Sequence, residues 1–191
     1  GKSYLMSVFV LLQKQNNVMK KFPIILLLFL LSLAYLNLDV IKYEKALGPS
    51  AISYSKQDKL LYIAEKDGKR IDVLNTDNKE VNHSIPTRYG PNELYLANNK
   101  LIVLEGIRNG NMLIYNRETL RQEDKIPVGY SPVAIVDTED HYVICNRFPG
   151  EISFINKKAL IVDKRIKVGR EPIAMAKVSG KPQLFIAHHL P

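Results

Sequence analysis

Four Gly/Pro clusters recur at nearly constant spacing: Leu47-Gly48-Pro49, Tyr89-Gly90-Pro91, Gly129-Tyr130-Ser131-Pro132 and Gly169-Arg170-Glu171-Pro172. Their prolines fall at 49, 91, 132 and 172, in steps of 42, 41 and 40 residues. Each is followed by a short strand-like run: Ser50-Ala51-Ile52-Ser53, Glu93-Leu94-Tyr95-Leu96, Val133-Ala134-Ile135-Val136 and Ile173-Ala174-Met175-Ala176. A second run follows at the same step: Leu61-Tyr62-Ile63-Ala64, Leu101-Ile102-Val103-Leu104, Tyr142-Val143-Ile144-Cys145 and Leu184-Phe185-Ile186-Ala187. A third alternates apolar and polar residues and ends on asparagine, at Asn75, Asn116 and Asn156. That alternation buries one face of a strand, and asparagine suits the turn that follows it.

A fourth strand closes each unit, over residues 81–86, 123–128 and 163–168. Four short strands in a period of about forty residues read as one blade of a β-propeller. The expected fold is therefore all-β, built from four-stranded antiparallel blades over 48–86, 90–128 and 131–168, with an incomplete blade over 171–191. About three and a half blades are present where closure needs about four to eight, so a longer protein is expected, with this chain as the N-terminal part of a seven-bladed ring. Asp39-Val40-Ile41-Lys42-Tyr43 reads as an outer strand without a blade of its own, which in a closed ring would complete the last blade. An open array leaves an apolar sheet face at each end, so residues 35–191 alone are expected to associate or to lose order at the end.

The pattern V-G-x-x-P, then L-Y-I-A, then I-x-V-x-N resembles the YVTN-type β-propeller repeat of secreted bacterial and archaeal proteins. The resemblance covers roughly four fifths of the chain, from Leu38 onward. It implies an exported binding scaffold. The asparagine usual after the second strand appears only as Asn146, with Glu65, Glu105 and His188 at the equivalent positions. These are read as turn positions. The acidic residue common after the third strand is Asn in each unit.

The formal charge is +8, but residues 1–34 hold Lys2, Lys14, Lys20 and Lys21 and no acid. The remainder has 23 basic and 19 acidic residues, a net +4, too diffuse for nucleic acid, which needs clustered cations. The single cysteine, Cys145, excludes an intrachain disulfide and reads as a small buried hydrophobe. Residues 1–18 carry no landmark and read as an upstream extension or artefact. Residues 19–34 combine Lys20-Lys21, an apolar run and Ser32-Leu33-Ala34, the layout of a secretory signal peptide. Phe22 to Leu36 falls short of the ~20 residues a spanning helix needs, so the membrane is involved only if this segment is kept uncleaved. The expected location is extracytoplasmic.

No catalytic constellation stands out, and no cofactor is expected in this segment. In a four-stranded meander the loops after strands two and four open on one face. They carry Arg88, Tyr89, Arg108, Tyr130, Arg147 and Arg170, with Lys66, His188 and His189. Several cations and two tyrosines on one rim suit a small acidic ligand or a protein partner, while Glu65, Glu105 and Glu171 beside them would offset the field. His188 and His189 are the only candidates for a metal, and strand geometry lets just one of them face the axis. The alternative to a binding scaffold is the N-terminal propeller part of a periplasmic haem- or copper-dependent redox protein; fold alone does not choose.

The small-x-small site predicts a mature N-terminus at or near Tyr35. N-terminal sequencing of the protein from its host checks this, and recovery of an intact Met19 on a cytoplasmic product would contradict it.

Overall fold

The computed structural model describes residues 47–189. The segments read as an upstream extension (1–18), a signal peptide (19–34) and an outer strand (39–43) lie outside the described residues. Among the described residues there is no helix long and apolar enough to cross a membrane.

Strands β1 (Pro49–Ser55), β2 (Leu60–Glu65), β3 (Arg70–Asn75) and β4 (Glu80–Pro86) pair antiparallel in chain order and form the first blade. The second blade begins with β5 (Pro91–Ala97), β6 (Lys100–Glu105) and β7 (Gly110–Asn116). Its fourth strand is the first half of β8 (Gln122–Asp137), a 16-residue strand whose second half is the first strand of the third blade. β9 (His141–Phe148), β10 (Glu151–Asn156) and β11 (Val162–Lys167) complete that blade, and β12 (Pro172–Lys177) with β13 (Leu184–His188) form a two-stranded unit. Two blades thus share one continuous seven-stranded sheet, where the sequence places a break at Gly129-Tyr130-Ser131-Pro132. The strand passes without breaking because Gly129 has no side chain: a Cβ there would lie 2.6 Å from Cγ of Asn146. Ser131 takes a positive φ of 53° and donates its N–H to the Ile107 carbonyl at 2.6 Å.

Each proline starts its strand with the same irregularity. The register slips by one residue between Pro49 and Ala51, Pro91 and Glu93, Pro132 and Ala134, and Pro172 and Ala174. Proline has no N–H to give the ladder, so a bulge beside it loses little. The bulged residues Ser50 and Asn92 are turned to use. Ser50 Oγ donates to the Pro91 carbonyl at 2.7 Å, and Asn92 Nδ2 donates to the Pro132 carbonyl at 3.1 Å. The sequence period thereby becomes a physical link from one blade to the next.

The asparagines at the ends of the third strands do the same thing three times. Asn75 Oδ1 accepts the N–H of Asp77, Asn116 Oδ1 those of Glu118 and Thr119, and Asn156 Oδ1 those of Lys158 and Ala159. Each turn closes by an N–H four residues on returning to the asparagine carbonyl at 2.8 Å, from Lys79, Leu120 and Leu160. Those three residues take the left-handed conformation, with φ of 62°, 55° and 56°. Asparagine is at home here because its side chain mimics a backbone turn.

The core consists of layers between neighbouring blades. Tyr62, Ala64, Ile71 and Val73 of the first blade pack on Leu101, Val103, Leu113 and Tyr115 of the second. The opposite face of the second, through Ile102, Leu104, Met112 and Ile114, packs on Tyr142, Ile144 and Ile155 of the third. Val136, Val143 and Ile152 then meet Met175, Leu184 and Ile186. Val103, Ile144 and Ile186 accordingly face the preceding blade, as their equivalent positions require. Ile63, at the equivalent position in the first blade, is not packed between two sheets. It pairs across from Ile52, and no sheet covers this side of the first blade among the described residues, so Ile52 stays 66% and Tyr54 51% exposed. Cys145 is fully buried, and burial pushes its thiol up to about 11, which keeps it protonated and unreactive at neutral pH.

Replacing Ile144, buried between the second and third blades, by Ala is expected to cost about 2–5 kcal/mol. Urea unfolding of the full-length protein, with the shift in midpoint converted through an unchanged m-value, measures it.

Candidate binding rim

The loops β4–β5, β6–β7 and β11–β12, with the kink in β8 and the end of β9, carry the six residues expected on one rim. Tyr89 and Arg108 meet across a hollow of about 300 Å³, lined also by Lys66 and Lys69. Arg108 and Tyr130 meet across a second, of about 510 Å³, lined also by Arg165. The two hollows share Arg108 and Asn109. Glycines let the chain come this close: a Cβ on Gly90 would lie 2.5 Å from the Lys66 carbonyl oxygen, and one on Gly110 would lie 2.2 Å from that of Gly129.

The other expected residues are placed differently. Arg88 lies over the Tyr89 ring at 5.5 Å. Arg147 pairs with Glu171 at 2.6 Å and lies 5.4 Å over the Phe148 ring, so its charge is already matched. Arg170 is exposed and lines neither hollow. Its carbonyl accepts the Nδ1–H of His188 at 2.8 Å, while His189 Nδ1 lies 3.6 Å from Glu171. Among the described residues no three His, Cys, Asp or Glu side chains converge on a point that could hold a metal ion.

Two of the acids read as offsetting the rim's field are buried instead. Glu65 and Glu105 are the last residues of β2 and β6, and they lie in the strands rather than in turns. The Glu105 carboxylate accepts the Tyr89 N–H at 3.0 Å and Asn111 Nδ2 at 3.2 Å, with Lys125 Nζ 3.8 Å away. At the matching place in the third blade, Asn146 Nδ2 donates to Ser153 Oγ at 2.9 Å and to the Val128 carbonyl at 3.4 Å. In the second and third blades this position is therefore a buried polar anchor that ties the blade to the chain entering it. A carboxylate fills it in the second blade because the group it meets there is an N–H with a cation behind it.

Sequence reasoning passed over two rim residues. Ile107 is 60% exposed and Phe148 42%, beside Tyr130 at 57%. Their signal was an apolar residue inside a turn segment, where no strand alternation calls for one.

No family model matches this chain, and no curated protein does. Solved structures do. Hydrazine synthase of Kuenenia stuttgartiensis superposes with a TM-score of 0.62 at 16% identity, covering 70% of this chain and 40% of that one. The RRP9 WD40 repeats give 0.60 at 10%, covering 70% and 42%, and U3-55K gives 0.59 at 10%, covering 70% and 43%. The chain spans about two fifths of the length of these structures. With its four-stranded antiparallel blades and its likeness to WD40 repeats, the fold is that of a β-propeller, present in part.

Glu105→Ala is expected to destabilise the protein by about 1–3 kcal/mol, because the Tyr89 N–H and the Asn111 amide would be left buried without their acceptor. Thermal unfolding measures it, and Glu105→Gln, which keeps one acceptor oxygen, should recover part of the loss.

Proposed function

We propose that this chain is the propeller part of an exported binding scaffold that takes an anionic ligand on the rim around Arg108. One observation carries the reading: Arg108 has no ion-pair partner among the described residues and stands where two hollows adjoin, flanked by Tyr89 and Tyr130. The surroundings favour negative charge. Lys66 and Lys69 line the first hollow with Arg108, while Arg165 in the second is already paired with Glu151. Glu65 and Glu105 are withdrawn into the blades, and Glu171 is held by Arg147. Asp67 is the one carboxylate in the lining of the first hollow, and it packs over Gly48. Cations gathered in a concave wall focus the field on a ligand. Tyrosine adds apolar contact with a polar tip. Export is supported by Lys20-Lys21, the apolar run after it and Ser32-Leu33-Ala34, and by the resemblance to secreted YVTN-type repeats.

Titration of the full-length protein with citrate, followed by calorimetry at low salt, tests the reading. Binding should weaken steeply with added salt, and Arg108→Glu should lower affinity at least about tenfold. Citrate binding that ignores both salt and Arg108→Glu would overturn it.

A further inference from the structure

We propose that the occupant of this rim is a polypeptide, an acidic segment carrying aliphatic anchors, and that it seats on a ridge formed by Ile107, Tyr130 and Phe148. The inference rests on the reading of the rim as an anion-binding surface and adds the class of ligand.

The three ridge residues come from separate segments and are held side by side by the backbone. The Ser131 N–H donates to the Ile107 carbonyl at 2.6 Å, which fixes the β6–β7 loop against the kink in β8. Tyr130 and Phe148 are direct partners in the pairing of β8 with β9. All three are more than two fifths exposed, and none belongs to a packed layer between blades. Exposed apolar side chains scattered singly need no explanation, but a contiguous row rimmed by charge marks an interaction site. Arg108 follows Ile107 directly, and Arg147 covers the Phe148 ring. Aromatic residues and arginines are the types that carry binding energy in protein interfaces.

A small anion would satisfy Arg108 and leave Ile107 and Phe148 in water. A ligand that uses every part of this surface must carry acidic and apolar groups several ångströms apart on one backbone. An extended peptide does so, because side chains on one face recur at about 7 Å. The alternative of an anionic membrane fits less well. The cations here line hollows rather than a projecting face.

The experiment uses the full-length protein and three labelled peptides of about twelve residues, about 40 Å long when extended. One is rich in glutamate with two leucines, one has serines for the leucines, and one has glutamines for the glutamates. By fluorescence anisotropy the first should bind at least about tenfold more tightly than the other two. Ile107→Ser and Tyr130→Ser, both at exposed positions, should each erase its advantage over the serine peptide, with circular dichroism unchanged. Equal binding of the leucine and serine peptides would overturn the inference while leaving the anion-binding rim in place. So would failure of all three peptides where citrate still binds through Arg108. Binding to phosphatidylglycerol vesicles lost in Ile107→Ser, without peptide binding, would assign the ridge to a membrane. If citrate binding also proves independent of Arg108, the reading of the rim falls with the inference.

Discussion

A four-stranded sheet has two faces, and in this protein each face must be covered by the sheet beside it. β6 shows the demand at its strongest. It lies inside the second blade, between the first and the third, and every residue from Leu101 to Glu105 is buried. Leu101 and Val103 face one neighbour, and Ile102 and Leu104 the other. A strand buried on both sides cannot alternate, so it reads as an unbroken apolar run. β1 shows the converse. One side packs through Ala51 while Ile52 and Tyr54 on the other remain open. Stability in such an array is a sum over neighbour contacts, so among the described residues the middle blade is held twice and the first blade once.

Apolar layers are non-directional and would allow the blades to slide over one another. Polar contacts at the strand ends set the register. Ser50 and Asn92 each reach the carbonyl of the next blade's proline, one period along the chain. Glu105 and Asn146 fasten the second strand of a blade to the segment that enters it, at Tyr89 and Val128. These contacts lie in buried or half-buried places, where an unmet donor is costly, so they specify one arrangement more than they add to stability.

How much of this could be read from the sequence follows from the range of each interaction. The period, the strands and the asparagine turns were legible because each blade meets the same local demand: Gly-Pro to enter, apolar residues to bury, and Asn to turn. The continuity of β8 was not legible, since it depends on Gly129 passing Asn146, a contact between segments distant in sequence. Nor was the burial of Glu65 and Glu105. Carboxylates are ordinarily exposed, and only the folded chain puts the Tyr89 N–H in front of Glu105. At the rim, the loop pattern placed Tyr89, Arg108 and Tyr130 at one end, and in the structure they line two adjoining hollows. It could not tell that Glu171 would engage Arg147 and leave Arg108 without a partner among the described residues. Ile107 and Phe148 were missed because an apolar residue in a turn breaks a pattern without announcing a role.

The two ends of the blades differ in how regular their loops are. At the end that holds the asparagine turns, Lys59 pairs with Asp77, Lys100 with Glu123, Arg117 with Asp58, Lys157 with Asp137, and His141 lies 2.9 Å from Asp163. The turns there have one geometry in all three blades, and their side chains are spent on holding it. At the rim the loops differ from blade to blade: 66–69 and 106–109 each have four residues but different composition, and 149–150 has two. A repeat constrains whatever must be alike for neighbours to pack, and it leaves free whatever projects beyond the packed layers. Cations can stay unmatched only in that free region, because an unpaired charge within the layers would meet a prohibitive desolvation cost. Arg108 is thus available to a ligand for the same reason that its loop is irregular.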